Sequence, residues 1–361
     1  MNKFTLTIIV SVVLILGAFC VQVSKGAYDM DVKTIYNALT DKSLFKDTTY
    51  FQHKILGETL CRKLDIEKPV LTEISNETLI MWNIRIPRFL IGICVGINLA
   101  IAGCIFQTIT KNEMSSAYTL GISQGSGLSM LLIVIMFPSL YSAMPVLSMI
   151  GGIVAFFLIY FLSWKNGTTP TRLVLSGMII GTISIAIQKG LYYFIQDIGV
   201  FQDVLSWTTG SLIGLSWQHF MLIFPWTIVI LLICLTLYRP LNVMLLGDTN
   251  AKALGVSVEK WKIFFALVGI LAASSAVCVA GLIGFVGLIA PHIGRSLTGY
   301  EHQKLFISCS FIGASLLTVS DTISRILLAS GQIPVGIILN TIGGIFFIIL
   351  MKKSNSSILN K

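Results

Sequence analysis

Residues 87–108 read PRFLIGICVGINLAIAGCIFQT. After Arg88 no side chain in this stretch carries a charge, and it matches the roughly 20 residues a helix needs to cross a hydrocarbon core about 30 Å thick. Backbone in hydrocarbon must satisfy its own N–H and C=O groups, which a helix does within the segment. The stretch therefore reads as a transmembrane helix. Comparable runs occur at Thr5–Val23, Thr119–Phe137, Val146–Leu162, Leu173–Phe194, Phe220–Leu237, Trp261–Val279, Leu282–Leu297, Leu305–Ser320 and Val335–Met351, which brings the number to about ten. Only 11% of the chain is charged, against roughly 25% in a soluble domain, too little to cover a soluble surface. The alternating segments of about 10 residues that mark a β-barrel are absent. The expected fold class is an all-α polytopic membrane protein, with residues 1–361 forming a single transmembrane domain.

Short polar links join the spans, with one exception. Residues 24–83 form a long, nearly neutral polar segment in which Val32–Leu39 suits a short interfacial helix. An even number of spans puts both ends of the chain on one side, and Lys352, Lys353 and Lys361 mark that side as the cytoplasm. The short loops sharing it carry Lys111, Lys165, Arg172, Arg239, Lys252, Lys260, Lys262, Arg295 and Lys304, whereas the short outer loops carry little beyond Lys189 and Arg325. This is the positive-inside pattern. It accounts for the net charge of +9 without a nucleic-acid surface, which would need a basic stripe on a soluble face. Lys3 followed by Thr5–Phe19 has the shape of a secretory signal, but Phe19 directly before Cys20 is a poor lipoprotein-type cleavage site. An uncleaved first helix is the expectation. The seven cysteines form no CxxC pair, and only Cys61 stands in a polar stretch. They read as small buried hydrophobes rather than a disulfide framework. Gly92-x-x-x-Gly96 allows two helix backbones to approach closely. Simple bundle packing and a bundle that shifts around a path both fit it.

An ion-coupled carrier keeps Asp, Glu or His in mid-membrane. Asp321 ends a span, His292 lies near a loop, and Asp197 and Asp203 lie in an outer loop, so no acid stands squarely inside a helix. No G-x-x-x-x-G-K-[ST] phosphate loop is present, so a nucleotide-driven process needs a separate ATPase. The longest cytoplasmic link, residues 239–262, would receive it. There Asn250–Leu254 suits a short helix stopped by Gly255, with Ala251 and Leu254 as its apolar knob. An ordinary solvated loop is the alternative. No H-E-x-x-H or G-x-S-x-G motif supports an enzyme, and His53, His219, His292 and His302 are dispersed.

Three segments carry a resemblance that composition does not supply. They are Ile84-Arg85-Ile86-Pro87-Arg88 with Gly96, Leu99-Ala100, Gly103 and Gln107; the run from Gly281 to Arg295, GLIGFVGLIAPHIGR; and Asp321, Arg325, Ile333-Pro334-Val335-Gly336 with Gly343-Gly344. Together with Leu246-Gly247-Asp248 and Leu254-Gly255 they resemble the FecCD-type permeases of ABC importers for ferric siderophores, haem and vitamin B12, over about residues 80–352. The resemblance implies a ten-helix bundle like that of a vitamin-B12-importer permease, in a bacterial cell membrane. It implies a second permease subunit, ABC ATPase subunits that use the ATP, and an extracytoplasmic substrate-binding lipoprotein. The chelate would pass whole, so this chain is expected to hold no metal or cofactor, to be no enzyme, and to touch the lipid bilayer but no nucleic acid.

The resemblance also implies residue roles. Arg85, Arg88 and Arg325 match outer arginines that meet glutamates of the binding protein. The residues themselves allow this, because Arg85 and Arg88 share a helix face, Pro87 suits a first helical turn and the planar guanidinium suits carboxylates. Interfacial snorkelling of span-end arginines is the alternative. Gly247, Asp248, Ala251, Leu254 and Gly255 match the coupling helix that seats in the ATPase. Gly287, Pro291, His292 and Arg295 match the signature span and shape a helix end beside the path. The stretch Asn112–Ala117 and the stretch Gly343–Phe346 lack prolines usual in the family, and segment 24–83 is longer than typical. Trp207–Ser211 suits either an entrance or packing. Its Trp-x-x-Gly-Ser-Leu pattern resembles that of ferric hydroxamate permease subunits, and the resemblance implies a ferric hydroxamate siderophore as substrate, with haem or cobalamin next. An ion-coupled secondary transporter and a non-transport anchor or sensor are the rival classes.

Overall fold

The computed structural model describes residues 2–26, 28–41, 75–137, 144–164, 169–328 and 332–359. His53, Cys61, Lys165, Lys361 and most of the 24–83 segment lie outside the described residues. Every regular element described is helical, and each of the ten sequence spans has its helix. In chain order these are α1 (Lys3–Ser24), α2 (Val32–Thr40), α3 (Asn76–Thr110), α4 (Ile122–Met136), α5 (Met144–Ser163), α6 (Pro170–Leu191), α7 (Ile198–Thr209), α8 (Trp217–Thr236), α9 (Arg239–Met244), α10 (Asp248–Ala253), α11 (Val258–Ala280), α12 (Val286–Thr298), α13 (His302–Ile326) and α14 (Val335–Leu359). Seven among the described residues are long and apolar enough to cross a membrane; α4 is a shorter apolar helix, as is the apolar part of α14, Val335–Leu350. α2, α7, α9 and α10 are short connecting helices, and α7 occupies what the sequence suggested was an outer loop.

α3 is the axis of the bundle. It packs against α13, α11, α12 and α8, and its glycines set the spacing. A Cβ built on Gly96 would stand 2.4 Å from Gly313 O, and one on Gly103 would stand 1.9 Å from Gly287 O. The backbones therefore touch where small residues permit it, which is how helices associate when lipid removes the hydrophobic drive. Gly92, the other half of the small-residue pattern, meets only side chains of Leu212 and Thr318 at ordinary contact distance. α1 lies on the rim, packed along α13, and turns Leu6, Val10, Val13 and Leu16 outward.

Two sequence expectations change. Pro87 does not open a helix: α3 runs unbroken from Asn76, capped by Ser75, whose hydroxyl accepts from Thr78 N–H at 3.2 Å. A proline inside a helix clashes with the carbonyl four residues back. The π turn Met81–Arg85 just before it, where Ile86 N–H donates to Met81 O, supplies the room. The span expected from Leu282 begins only at Val286. Gly281 and Phe285 have positive φ, and residues 281–285 are not helical. Irregular backbone at membrane depth needs protein partners, and the Trp207–Ser211 link provides them. Ser211 N–H donates to Ala280 O (2.9 Å), Leu282 N–H to Trp207 O (3.2 Å), and Gly336 N–H to Gly210 O (2.9 Å).

Candidate functional site

Arg85, Arg88 and Arg325 meet at one end of the bundle, with their side chains withdrawn from solvent. Arg88 forms a two-pronged ion pair with Asp321, Nε to Oδ2 at 3.0 Å and Nη2 to Oδ1 at 2.6 Å, and its Nη1 donates to Gln332. Gln22 of α1 donates to the same carboxylate at 3.3 Å. Asp321 is not at a span end, because α13 continues to Ile326; it is 1% exposed and committed to Arg88. This corrects the expectation that no acid lies within a helix, and the pairing gives that acid a structural partner.

Among the described residues the other two arginines have no such two-pronged pair, although Asp29 acts on Arg85 and Asp321 on Arg325 through space. Arg85 donates to the backbone carbonyls of Val23 and Tyr28, and Arg325 to Lys25 O at 3.3 Å. Arg85 Nε and Arg325 Nε and Nη1 are buried with no hydrogen-bond acceptor. A Cβ on Gly26 would reach Arg325 Nη2 at 2.8 Å and Arg85 Nη2 at 3.7 Å. The chain after α1 thus lies across both guanidiniums as a strap. Met30, with Val23, Ala38 and Met81, anchors it in a small apolar cluster, and Lys25 pairs with Asp29 at 2.9 Å. That hydrogen bond holds the Asp29 carboxyl below its ordinary range. Buried cations without counter-charge are costly, and among the described residues this cluster holds three guanidiniums against one buried carboxylate.

At the opposite end α10 projects from the bundle. Its C-terminus closes as the sequence suggests: Gly255 has φ +82, its N–H donates to Lys252 O (3.0 Å), and Val256 N–H donates to Ala251 O (3.0 Å), a Schellman motif. The apolar knob is divided. Leu254 is 64% exposed, beside exposed Leu245 and Leu246, but Ala251 is fully buried against the bundle. Ala251 is therefore an inward anchor and not part of an outward face. Gly247 caps the helix start with φ +97. Asp248 takes Lys111 Nζ and Lys262 Nζ, each at 2.8 Å. Partial burial pushes its carboxyl up, but the hydrogen bonds from the two lysines outweigh this and hold it below the usual range.

The signature residues link the two parts. Gly287 is the close contact of α12 with α3. Gln107 Nε2 donates to Gly287 O at 3.1 Å, and Arg295 donates to Gln107 Oε1. His292 stands 3.4 Å from Glu113, which also lies 3.9 Å from Arg295. Pro291 lies inside α12, not at its end. His302 binds Asn242 through its backbone N–H at 2.9 Å and its Nδ1 at 2.7 Å, and meets Thr108 through Nε2 at 2.9 Å. Sequence reasoning missed Lys111, Lys262, Glu113 and His302 as organisers of this end. The lysines were visible only as members of a basic loop set.

A model of the FecCD transport family matches residues 13–353. The iron(3+)-hydroxamate import system permease FhuG of Bacillus subtilis is 36% identical over 289 residues, covering 78% of this chain and 86% of that protein. The vitamin B12 import system permease BtuC of Vibrio cholerae is 32% identical over 288 residues, covering 78% and 86%. A solved chain described as a metal-chelate type ABC transporter in an inward-facing conformation shares the fold, with a TM-score of 0.74 and 22% identity, over 97% of this chain and 99% of that one.

Proposed function

The chain belongs to the FecCD transport family and is an ABC importer permease; on that premise we propose that it carries a ferric siderophore, hydroxamate by preference, across a bacterial cell membrane. Both termini face the cytoplasm. ABC ATPase subunits seat on α10 and hydrolyse the ATP, a second permease subunit completes the pathway, and a substrate-binding lipoprotein docks at the arginine end. The observation that carries this reading is the charge imbalance there. Among the described residues the hydrogen bonds of Arg85 and Arg325 go to backbone carbonyls, so a partner carboxylate gains two desolvated guanidiniums once the strap moves aside. Charge-assisted bonds of this kind are roughly twice as strong as neutral ones. At the other end Leu254 supplies an exposed apolar contact beside a helix anchored by Ala251.

The hydroxamate preference rests on the relative named for that substrate. The relative named for vitamin B12 makes cobalamin the second reading. Radioiron uptake in a strain lacking the chain, supplied in turn with hydroxamate, catecholate and citrate chelates, haem and labelled cobalamin, tests it. Loss of hydroxamate uptake alone, restored by the gene, is the expected result. Loss of cobalamin uptake instead would replace the substrate assignment.

A further inference from the structure

Between the exposed α10 and the buried core of the bundle the connection is narrow. On the side facing α3 a space is left between the two. They enclose a cavity of about 70 Å³ lined by Ile109, Thr110, Lys111, Leu173, Asp248 and Lys262, with Thr169. What crosses it is charge. Lys111 follows directly on α3 and holds its end with a left-handed φ of +50. Lys262 stands in the first turns of α11 and is 13% exposed at its side chain. α3 and α11 are the two most buried spans. Asp248, the first residue of α10, is the one carboxylate among the described residues that both lysines reach; Lys262 also has Glu259 of its own helix at a longer 3.6 Å. A single surface ion pair contributes little, roughly 0–1 kcal/mol, and many exposed pairs are ornamental. Here one carboxylate joins two spans: its partner Lys262 is withdrawn from solvent at 13% exposure, while Lys111 is 41% exposed.

We propose that Asp248 is a positioning residue for transport: it pins the coupling helix to the ends of α3 and α11, so that displacement of α10 by the ATPases moves the two central spans together. This rests on the reading of α10 as the ATPase seat. Leu254 takes the load on the outer side of the helix, Ala251 is the pivot against the bundle, and the Asp248 carboxylate transmits the motion across the cavity. The packing around α10 would not do this alone, because an open space on the α3 side lets the helix shift without displacing a side chain of α3.

The test uses the assembled complex, permease with its ATPase subunits and binding protein, in lipid vesicles containing ATP, with radioiron hydroxamate as the probe. Asp248→Asn keeps the size, removes the charge and turns one of the two accepting oxygens into an NH2 donor that no lysine can meet. The ratio of iron carried to ATP hydrolysed is expected to fall about tenfold, within the span of couplings between linked sites. Asp248→Glu restores the ratio. Asp248→Asn combined with Lys262→Met is no worse than Asp248→Asn alone, since both remove the same link. A variant that lowers uptake and hydrolysis in parallel, or leaves both unchanged, overturns the proposal. A second measurement is independent of the chelate. Spin labels at Asn112 and Lys252 keep a constant separation through ATP binding in wild type and spread in Asp248→Asn; equal behaviour in both overturns the pin. Failure of the wild-type complex to associate with ATPase through α10 would instead refute the functional reading on which it rests.

Discussion

Arg88→Met leaves the Asp321 carboxylate buried without its principal partner. The two residues are 4% and 1% exposed and share two hydrogen bonds, at 3.0 and 2.6 Å. Breaking a buried pair by removing one member costs about 3–5 kcal/mol, and the contact joins α3 to α13. Two neighbours moderate the loss here. Gln22 still donates to Asp321, and Arg325 stands close enough to attract its charge. Arg88→Met is therefore placed at the lower end of that range, about 3 kcal/mol. Asp321→Asn is the harsher change, because it removes the only buried carboxylate among the described residues from a cluster of three guanidiniums that already repel one another; it is placed at or above the upper end, about 5 kcal/mol. The combination Arg88→Met with Asp321→Leu removes both desolvated charges and recovers at least half of the Arg88→Met loss, since replacing a buried pair with apolar groups is often neutral. Equilibrium unfolding in mixed micelles, followed by circular dichroism, measures all three. A loss below about 1 kcal/mol for each single variant, the size of a surface pair, would refute the account of this cluster. So would a larger loss for Arg88→Met than for Asp321→Asn.

Gly103→Ala places a Cβ 1.9 Å from Gly287 O, a backbone atom that no rotamer can move; separating α3 from α12 should cost roughly 1–3 kcal/mol in the same unfolding assay, whereas Gly92→Ala, which meets only side chains at 3.5 Å or more, should stay within about 0.5 kcal/mol. Leu254→Asp should abolish co-purification of the ATPase subunits while leaving the thermal stability of the permease unchanged, because Leu254 is exposed; Ala251→Asp should lower the stability itself, because Ala251 is buried. The Asp248 carboxyl is held below its ordinary range, so its contribution is complete above the unfolded value near 4 and is lost as pH falls through the lower folded value. ATP-dependent uptake should therefore show no step from this group between about pH 5 and 8, and initial rates measured across that window check it.

A helix over each of the ten apolar runs was legible because a run such as residues 87–108 carries its signal within itself, although only seven among the described residues have the length and apolarity to cross a membrane. The close of α10 at Gly255 was legible for a similar local reason, since a positive-φ residue after a short helix favours glycine. Features that depend on a second segment were not legible. Pro87 looks like a first-turn residue until the preceding π turn is seen to accommodate it. Asp321 looks like a loop acid because hydropathy falls there, although α13 continues to Ile326 around its pair with Arg88. The burial of Arg85 and Arg325 depends on a strap some 60 and 300 residues away in sequence, and no local pattern announces it. Ala251 and Leu254 are both apolar and three apart, yet the tilt of α10 turns one into the bundle and the other outward.

The most direct measurement is of the energy source. The complete complex, reconstituted in tight vesicles with radioiron hydroxamate and its binding protein outside, is supplied either with enclosed ATP or with an imposed proton gradient and no nucleotide. The account predicts uptake with ATP that survives an uncoupler, and none from the gradient. Uptake that proceeds without ATP and collapses when the gradient is discharged would contradict it.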